Sequence, residues 1–420
     1  MAINIKKYKS LITGSKYIFL LNLSDKLFSF VIMLLLARNY PPEIYGQIVT
    51  LIALSMVFAA VFDLGLPIFI QREIAESLVN VSAVFSRVFT LGSIMILFYY
   101  TANILALKLL YPDIPYTLFT VISVMIYISF LVNVANKALV GLSEYRNQFF
   151  AFVLPRVLIV IFFIGGIFYL TLSASTLLAI MLVGLALNLL LALLYLHKKN
   201  IRISFSFFTL NGVLKIIGVS IPLGLAVVFN FLYDKLDLLL ISKLIDYESA
   251  AYYSIAYGLF KSASITFSFL LVSGFTKVAE LKRDPAPIML FLKEHAQLIS
   301  FICIIGTLIL FFLSEYIVGI LYSGKFSESA FILQILSAAL LAMGLNNLTG
   351  VILNGMGYFK VVMYITLYAL IMNVVLNIMF IPLYGIKAAA FMTVITEYFI
   401  LIIEWVYLKK ILNSLKAKQV

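Results

Sequence analysis

Four basic residues lie inside long apolar stretches of the chain: Lys26, Arg156, Lys235 and Lys261. A charge near the middle of a bilayer costs on the order of 3 kcal/mol on insertion scales, so such a group usually faces a water-filled cavity or an opposite charge. Cations in a cavity select anionic ligands, and the planar fork of arginine matches the oxygens of a phosphate. These residue types therefore favour a site for an anion, with phosphate as the best match.

The first apolar stretch carries a polar stripe around Lys26, which lies too deep to reach the membrane surface easily. Asn22, Asp25 and Ser29 lie at helical spacing from one another, so they share one face of a helix. This pattern predicts a helix that lines a cavity, with Lys26 in that cavity.

A second stripe lies in the seventh apolar stretch. Asn230, Asp234 and Asp237 are spaced by four and three residues, and Lys235 lies one position further round the helix. The same reasoning places this helix beside a cavity. If the two halves of the chain are pseudosymmetric, the two stripes face each other.

Arg156 and Lys261 allow two interpretations. Each lies about a third of the way in from the end of a predicted span. Long basic side chains at that depth either line a cavity or extend along the helix until the charged group reaches the interface. Both residues are kept as candidates for binding an anionic substrate.

Five acidic residues within predicted spans are candidates for ion pairing or for ion coupling. They are Asp25, Asp63, Asp234, Asp237 and Glu397. In the structural interpretation they neutralise the buried cations and hold helices together. In the functional interpretation they exchange cation partners during transport or carry a coupling ion, either a proton or sodium. Glu404 is set aside because it lies close to the end of the last span.

Composition excludes a soluble protein. Apolar residues make up 64% of the 420 residues and charged residues 11%, whereas soluble domains average about 45–50% and about 25%. Long apolar runs are typical of membrane helices rather than of barrels, whose strands alternate. One cysteine and two distant histidines predict no metal site and no disulfide framework.

Segments long and apolar enough to cross a bilayer need roughly 20 residues. Twelve such segments are predicted, at about 11–37, 44–70, 88–110, 116–139, 149–170, 174–196, 213–242, 250–276, 289–314, 330–353, 361–383 and 387–408. Most of the 30 lysines and arginines fall in the termini and the even-numbered connections. Because cytoplasmic loops carry the excess of basic residues, both termini are predicted to be cytoplasmic. This topology explains the net charge of +12 without nucleic acid.

The chain divides into two similar halves at the basic connection near residue 200. Each half has six predicted spans, and the tripeptide Asp-Lys-Leu occurs at 25–27 and again at 234–236. Repeats of this kind are found in many transporters. The expected fold is an all-α membrane protein with twelve helices in two pseudosymmetric six-helix bundles, 1–200 and 201–420, around a central cavity.

Several sequence motifs resemble those of the polysaccharide-exporter family, the Wzx-type flippases of the multidrug/oligosaccharidyl-lipid/polysaccharide superfamily. The motifs are Ala37-Arg-Asn-Tyr-Pro-Pro-Glu-Ile-Tyr-Gly46, Phe62-Asp-Leu-Gly-Leu66, Gln71-Arg-Glu-Ile-Ala75, Ile221-Pro222 to Asp237, Gly355-Met-Gly357 with Lys360, Asn373 to Asn377, Ile381-Pro382, Tyr384-Gly385, and Ala388-Ala-Ala390 to Glu397. The resemblance extends over almost the whole chain.

The resemblance implies a bacterial inner-membrane flippase without enzymatic activity. Its cargo would be an undecaprenyl-diphosphate-linked oligosaccharide, moved from the cytoplasmic to the periplasmic leaflet by alternating access for O-antigen, lipopolysaccharide or a related polysaccharide. An envelope-glycan polymerase and chain-length proteins would be its partners. The diphosphate of such a cargo fits the cationic cavity that the residues predict independently.

Two other functions remain open. A cation-coupled multidrug exporter of the same superfamily would share the fold, although four intramembrane cations disfavour organic cations as cargo. A membrane glycan polymerase is disfavoured because no connection is long enough for a large periplasmic loop. The motif G-x-x-x-x-G-K-[ST] is also absent, which argues against ATP hydrolysis.

Overall fold

A computed structural model describes residues 5–77, 79–204, 209–271, 274–281 and 284–417. Within these ranges the secondary structure is helical, without strands. The helices are α1 (Ile5–Asn39), α2 (Pro42–Asp63), α3 (Leu66–Glu76), α4 (Val81–Leu110), α5 (Tyr116–Gly141), α6 (Tyr145–Phe168), α7 (Ala174–Lys198), α8 (Leu210–Leu244), α9 (Tyr247–Leu270), α10 (Gly274–Glu280), α11 (Pro285–Phe312), α12 (Ser314–Tyr322), α13 (Glu328–Ser337), α14 (Leu340–Gly355), α15 (Phe359–Tyr384) and α16 (Ile386–Ala417).

The all-α membrane class predicted from the sequence is confirmed. Among the described residues, nine helices are long and apolar enough to cross a membrane, and the number rises to eleven if each of two bent pairs is one span. The bent pairs are the two parts of α8, and α13 with α14. The predicted span 250–276 corresponds to α9, which falls outside this set because tyrosines, serines and Lys261 make its 24 residues more polar.

The predicted span 44–70 is interrupted at the boundary between α2 and α3. Leu64 and Gly65 adopt left-handed backbone conformations, with φ of 53° and 74°. The Asp63 Oδ1 atom accepts a hydrogen bond of 2.8 Å from the N–H of Gly65, a turn that competes with helical hydrogen bonding. Pro67 then lies in the first turn of α3, where its missing N–H costs nothing.

The chain folds into two compact units that do not follow the sequence halves strictly. Unit 1 comprises Met1–Tyr40 and Leu51–Phe231, and unit 2 comprises Pro41–Thr50 and Leu232–Val420. The start of α2 therefore belongs to unit 2, and the greater part of α8 belongs to unit 1.

Unit 1 has a tightly packed core between α3, α4, α5 and α7. The rings of Tyr99 and Tyr127 lie 4.7 Å apart at its centre, and both residues are fully buried. On its other side α6 packs against α7, where a Cβ atom at Gly184 would overlap the side chain of Ile159. Glycine at 184 thus permits the close approach of these two helices.

Unit 2 is built around α14, which packs against α9, α10, α11, α15 and α16. The start of α2 joins this unit through close backbone contact, because a Cβ atom at Gly46 would overlap the carbonyl oxygen of Tyr247. The preceding residue, Tyr45, is buried with its ring edge-on to Phe326 at 5.8 Å. These contacts fix the first turns of α2 to the start of α9.

Candidate functional site

Arg156 of α6 lies partly buried between two aromatic rings in unit 1. Its guanidinium carbon is 3.2 Å from the ring centre of Phe152, one helical turn earlier, and 5.2 Å from that of Phe28 on α1. The side chain is only 13% exposed, so the protein encloses most of it. Aromatic faces stabilise a guanidinium and leave its N–H edge available to an anion.

The N–H groups of Arg156 are incompletely used by the protein. Nη1 donates to the backbone oxygen of Phe152 at 3.3 Å, and Nε has no hydrogen-bond partner among the described residues. Nη2 is 3.6 Å from Asp25 Oδ1, which is too long for a direct hydrogen bond. Asp25 is itself 43% exposed. The arrangement holds a charged group in place with a long contact from Nη2 to its carboxylate partner.

Lys26 lies on the exposed face of α1, together with Asn22 and Ser29. None of the ion pairs between described residues includes Lys26. Asp63, by contrast, lies in the turn between α2 and α3 and accepts the N–H of Gly65. The structure therefore brings Asp25 to Arg156 within unit 1 and places Asp63 in the turn between α2 and α3.

In unit 2, Asp234 forms ion pairs with both lysines that the sequence analysis places beside a cavity, Lys235 and Lys261. One carboxylate oxygen is 2.8 Å from Lys235 Nζ, and the other is 3.0 Å from Lys261 Nζ. The hydroxyl of Tyr257 donates a further hydrogen bond of 2.9 Å to Asp234. All three charged side chains are between 23% and 35% exposed. Asp234 thus offsets much of the positive charge of both lysines.

Asp237 is more deeply buried than Asp234, with 5% of its surface exposed. Tyr253 and Thr393 each lie 2.9 Å from its Oδ2 atom, and Asn377 donates to Oδ1 at 2.8 Å. Asn377 also donates to Asn373 at 3.0 Å. Three neutral donors therefore surround a carboxylate that has no cation within ion-pair distance among the described residues.

Glu397 of α16 has a similar environment, with 6% exposure. It accepts hydrogen bonds from Tyr233 at 3.0 Å and from the side chain of Asn346 at 2.8 Å. The same Asn346 amide also donates to the backbone oxygen of Glu397 at 2.9 Å. Neutral donors can hold a buried carboxylate in either protonation state, which is the arrangement that reversible ion binding requires.

Sequence reasoning missed the neutral hydrogen-bonding partners of these acids and the burial of Glu404. Tyr253 and Tyr257 precede Lys261 at successive intervals of four residues on α9, and this spacing was the available signal. Glu404, set aside from the sequence, is 4% exposed and accepts a hydrogen bond from Thr349. Its position near the end of the span did not indicate this burial, because α14 covers the residue laterally.

Metal binding has limited support in the described residues. They contain no group of three or more histidine, cysteine, aspartate or glutamate side chains that could hold a metal ion. Oxygen atoms of Asp237, Asn373 and Thr393 nevertheless lie within one hydrogen-bonded cluster. Carboxylate, amide and hydroxyl oxygens are ligands that hard cations accept.

The chain matches the sequence model of one protein family, and its fold resembles that of solved membrane transporters. The sequence model of the family described as polysaccharide biosynthesis protein matches residues 35–331. An uncharacterized membrane protein of Methanocaldococcus jannaschii is 26% identical over 424 residues, which cover 94% of this chain and 97% of that protein.

Solved transporters share the fold at low sequence identity. An inward-facing multidrug resistance transporter of the MATE family, in the MOP superfamily, has a TM-score of 0.82 at 14% identity, covering 94% of this chain and 96% of its own. The lipid II flippase MurJ, in an inward closed conformation, has a TM-score of 0.72 at 16% identity, covering 96% and 90%. A MOP superfamily transporter of Pyrococcus furiosus, described as having a binding pocket of reverse polarity, has a TM-score of 0.63 at 15% identity, covering 97% and 94%.

Proposed function

Because the chain belongs to the polysaccharide biosynthesis protein family, we propose that it flips an undecaprenyl-diphosphate-linked oligosaccharide from the cytoplasmic to the periplasmic leaflet. It is a multi-pass membrane protein with the fold of the transporters and flippases of the MOP superfamily. For a protein with this fold we infer the cargo, the direction of its movement, and a cycle of alternating access without a catalytic step.

The environment of Arg156 is the observation that carries the proposal. The cargo has one invariant charged group, the diphosphate, because the sugars vary between polysaccharides. A diphosphate requires a cation with an N–H group that it can reach, and Arg156 Nη2 has Asp25 at 3.6 Å as its charged partner while Phe28 and Phe152 hold the guanidinium. Lys26, exposed on α1, supplies a second cation in the same unit. Charge-assisted bonds to phosphate are among the stronger hydrogen bonds.

The lysines of unit 2 have a different role in this proposal. Lys235 and Lys261 are held by Asp234, so they contribute less free positive charge than Arg156 and Lys26. The buried carboxylates of Asp237 and Glu397 are assigned to ion coupling, with a proton or sodium as the coupling ion. Unit 1 then binds the anionic cargo and unit 2 responds to the ion.

Reconstitution tests the proposal directly. The purified protein is placed in liposomes that contain undecaprenyl diphosphate linked to a fluorescently labelled N-acetylglucosamine, and a membrane-impermeant reductant bleaches the label in the outer leaflet. We expect the inner-leaflet pool to become accessible faster than in liposomes without protein. Equal rates in both would contradict the flippase assignment.

Deletion in the host provides the cellular test. Loss of the gene is expected to trap lipid-linked repeat units on the cytoplasmic face, as seen by leaflet-specific labelling of spheroplasts, and the complemented strain serves as control. Normal periplasmic exposure in a strain without a paralogous flippase would remove the cargo assignment.

Export of organic cations is the competing function, favoured by the acidic groups of unit 2. Asp237 and Glu397 are buried beside tyrosine side chains, a setting that also suits an organic cation. Ethidium efflux from proteoliposomes, without flipping of the labelled lipid, would favour this function.

The proposed cellular setting is a bacterial inner membrane with both termini in the cytoplasm. Reporter fusions at each terminus test that orientation, because alkaline phosphatase is active only outside the cytoplasm. An envelope-glycan polymerase and chain-length proteins are the proposed partners, and the glycan would be O-antigen or a related surface polysaccharide. Two pseudosymmetric six-helix bundles remain the proposed domain organisation.

A further inference from the structure

Glu404 is a buried acid with no function in the mechanism described so far. It lies in α16, two helical turns beyond Glu397, and 4% of its surface is exposed. None of the ion pairs between described residues includes it. An ionised carboxylate without a cation in such a setting is costly, and protonation removes that cost.

The hydrogen bonding of Thr349 favours the protonated form of Glu404. The threonine hydroxyl has a single hydrogen, yet its oxygen lies near three acceptors: Glu404, the backbone oxygen of Leu345 at 3.0 Å and that of Asn346 at 3.2 Å. An ionised carboxylate can only accept, so it competes for that one hydrogen. A protonated Glu404 donates to the Thr349 hydroxyl, which then donates to Leu345, and each group is satisfied.

Glu404 and Glu397 form two steps along one pair of helices. Thr349 and Asn346 lie about one turn apart on α14, and they contact Glu404 and Glu397 respectively. Seven residues of α16 separate the two acids, which is about 10 Å along the helix axis and close to two full turns. Both acids therefore lie on the face of α16 that meets α14.

Charged and titratable neighbours of the two acids are few among the described residues. Glu397 is the ionisable group that acts on Glu404, while Lys261 and Tyr233 act on or contact Glu397. The exposed Lys409 and Lys410 follow Glu404 on α16, toward the end of that helix at Ala417. Glu404 thus lies between that end of the helix and the coupling carboxylates.

We propose that Glu404 is a proton-binding site that supplies the coupling carboxylate Glu397 from the Lys409 end of α16. This proposal rests on the transport function proposed above and names the proton as the coupling ion. Glu404 takes up a proton from water at that end, and the same proton is later released to the ionised Glu397. No other bond is made or broken, and Glu404 returns to its ionised state before the next uptake.

The experiment compares wild type with Glu404→Gln in liposomes containing the labelled undecaprenyl-diphosphate N-acetylglucosamine. Glutamine mimics the protonated acid, since its amide can donate to Thr349, so the variant is expected to fold. Acceleration by a pH gradient, and proton uptake followed with an internal pH dye, should fall at least about tenfold. Glu315→Gln, the same change at an exposed acid of unit 2, is the matched control.

A second readout does not depend on the cargo. Infrared difference spectra across a pH titration should contain the carbonyl band of a protonated carboxyl group that disappears in Glu404→Gln and persists in Glu315→Gln. Unchanged gradient acceleration in Glu404→Gln, acceleration by sodium instead of protons, or no Glu404-dependent band would each overturn the proposal. Absence of flipping by the wild type with the band present would refute the proposed cargo and leave the proton site standing.

Discussion

In unit 1 the fully buried polar side chains at the core are neutral, whereas in unit 2 they surround carboxylates. Asn103 of unit 1 lies within 2.9 to 3.2 Å of the hydroxyls of Ser55, Tyr99 and Ser123, and all four residues are fully buried. Unit 2 places Asp237, Glu397 and Glu404 in comparable positions. A neutral network holds one arrangement at every pH, while carboxylates change charge. This difference supports the proposed assignment of cargo binding to unit 1 and of ion coupling to unit 2.

The repeated tripeptide shows how the same residues acquire different environments. Asp25 meets Arg156 at 3.6 Å, and Lys26 stays exposed on α1. Asp234 instead contacts both Lys235 and Lys261. Each aspartate of the tripeptide has a basic partner on another helix, Arg156 for Asp25 and Lys261 for Asp234. The distance to that partner decides how much of its positive charge the aspartate offsets.

The largest expected effect comes from removing the cation of unit 1. Arg156→Met keeps much of the side-chain bulk and removes the charged N–H groups, so flipping of the labelled lipid should fall about 10- to 100-fold. Arg156→Lys keeps the charge without the fork and should recover only part of the rate. Arg146→Met, on the same helix and also beside an aromatic ring, should stay near wild type. Equal losses in the Arg156 and Arg146 variants would remove the special role of Arg156.

Substitution of Asp237 in unit 2 should weaken the coupling of flipping to an ion gradient rather than the affinity for the lipid. Asp237→Asn keeps the shape of the side chain and removes its charge, so acceleration of flipping by an ion gradient should fall about tenfold. Binding of the labelled lipid, followed by fluorescence polarisation in detergent, should not change. Weaker lipid binding in this variant would contradict the division between the units.

The two tripeptide lysines should contribute unequally. Lys26→Ala is expected to slow flipping about fivefold, and adding Lys235→Ala should change the rate little more, because Asp234 already offsets Lys235. Initial flipping rates of the two single variants and the double variant give the comparison. Full activity of the double variant would exclude both lysines from cargo binding.

The smallest effect is expected at Asp63. Asp63→Asn retains an oxygen that can accept the N–H of Gly65, so flipping should remain within about twofold of wild type. Asp63→Ala loses that hydrogen bond, and the protein should unfold at a lower temperature in detergent, by an amount that corresponds to about 1 kcal/mol. A large loss of flipping in Asp63→Asn alone would show that its charge is used in transport.

Most of the membrane helices could be predicted because their signal is local. A run of about 20 apolar residues reflects the thickness of the hydrocarbon core, so α5, α7 and α15 follow from the sequence nearly as the structure has them. The break after Asp63 depends on two residues with left-handed backbone conformations inside an apolar run, and such a short interruption leaves the average hydropathy high.

Only the charged residues of the candidate site could be predicted from the sequence. Lys261 and Glu397 are conspicuous because a charge in a span is costly, whereas Asn346 and Thr349 are ordinary in a membrane helix. The contact between Asp237 and Thr393 joins residues 156 positions apart, a separation that single-sequence spacing does not encode. Distance from the end of the span also failed to predict the burial of Glu404. That distance measures depth in the membrane, whereas the burial of Glu404 comes from contact with α14.

Each unit contains a segment from the other half of the sequence, and this determines how the protein would behave if its chain were divided into two halves. A break between residues 200 and 201 would leave the fragment 1–200 without the part of α8 that completes unit 1, and would leave the fragment 201–420 without Pro41–Thr50. Neither fragment holds all the pieces of one unit. The halves should therefore behave like domain-swapped partners, which regain a stable fold when they are co-expressed and are degraded when they are made singly.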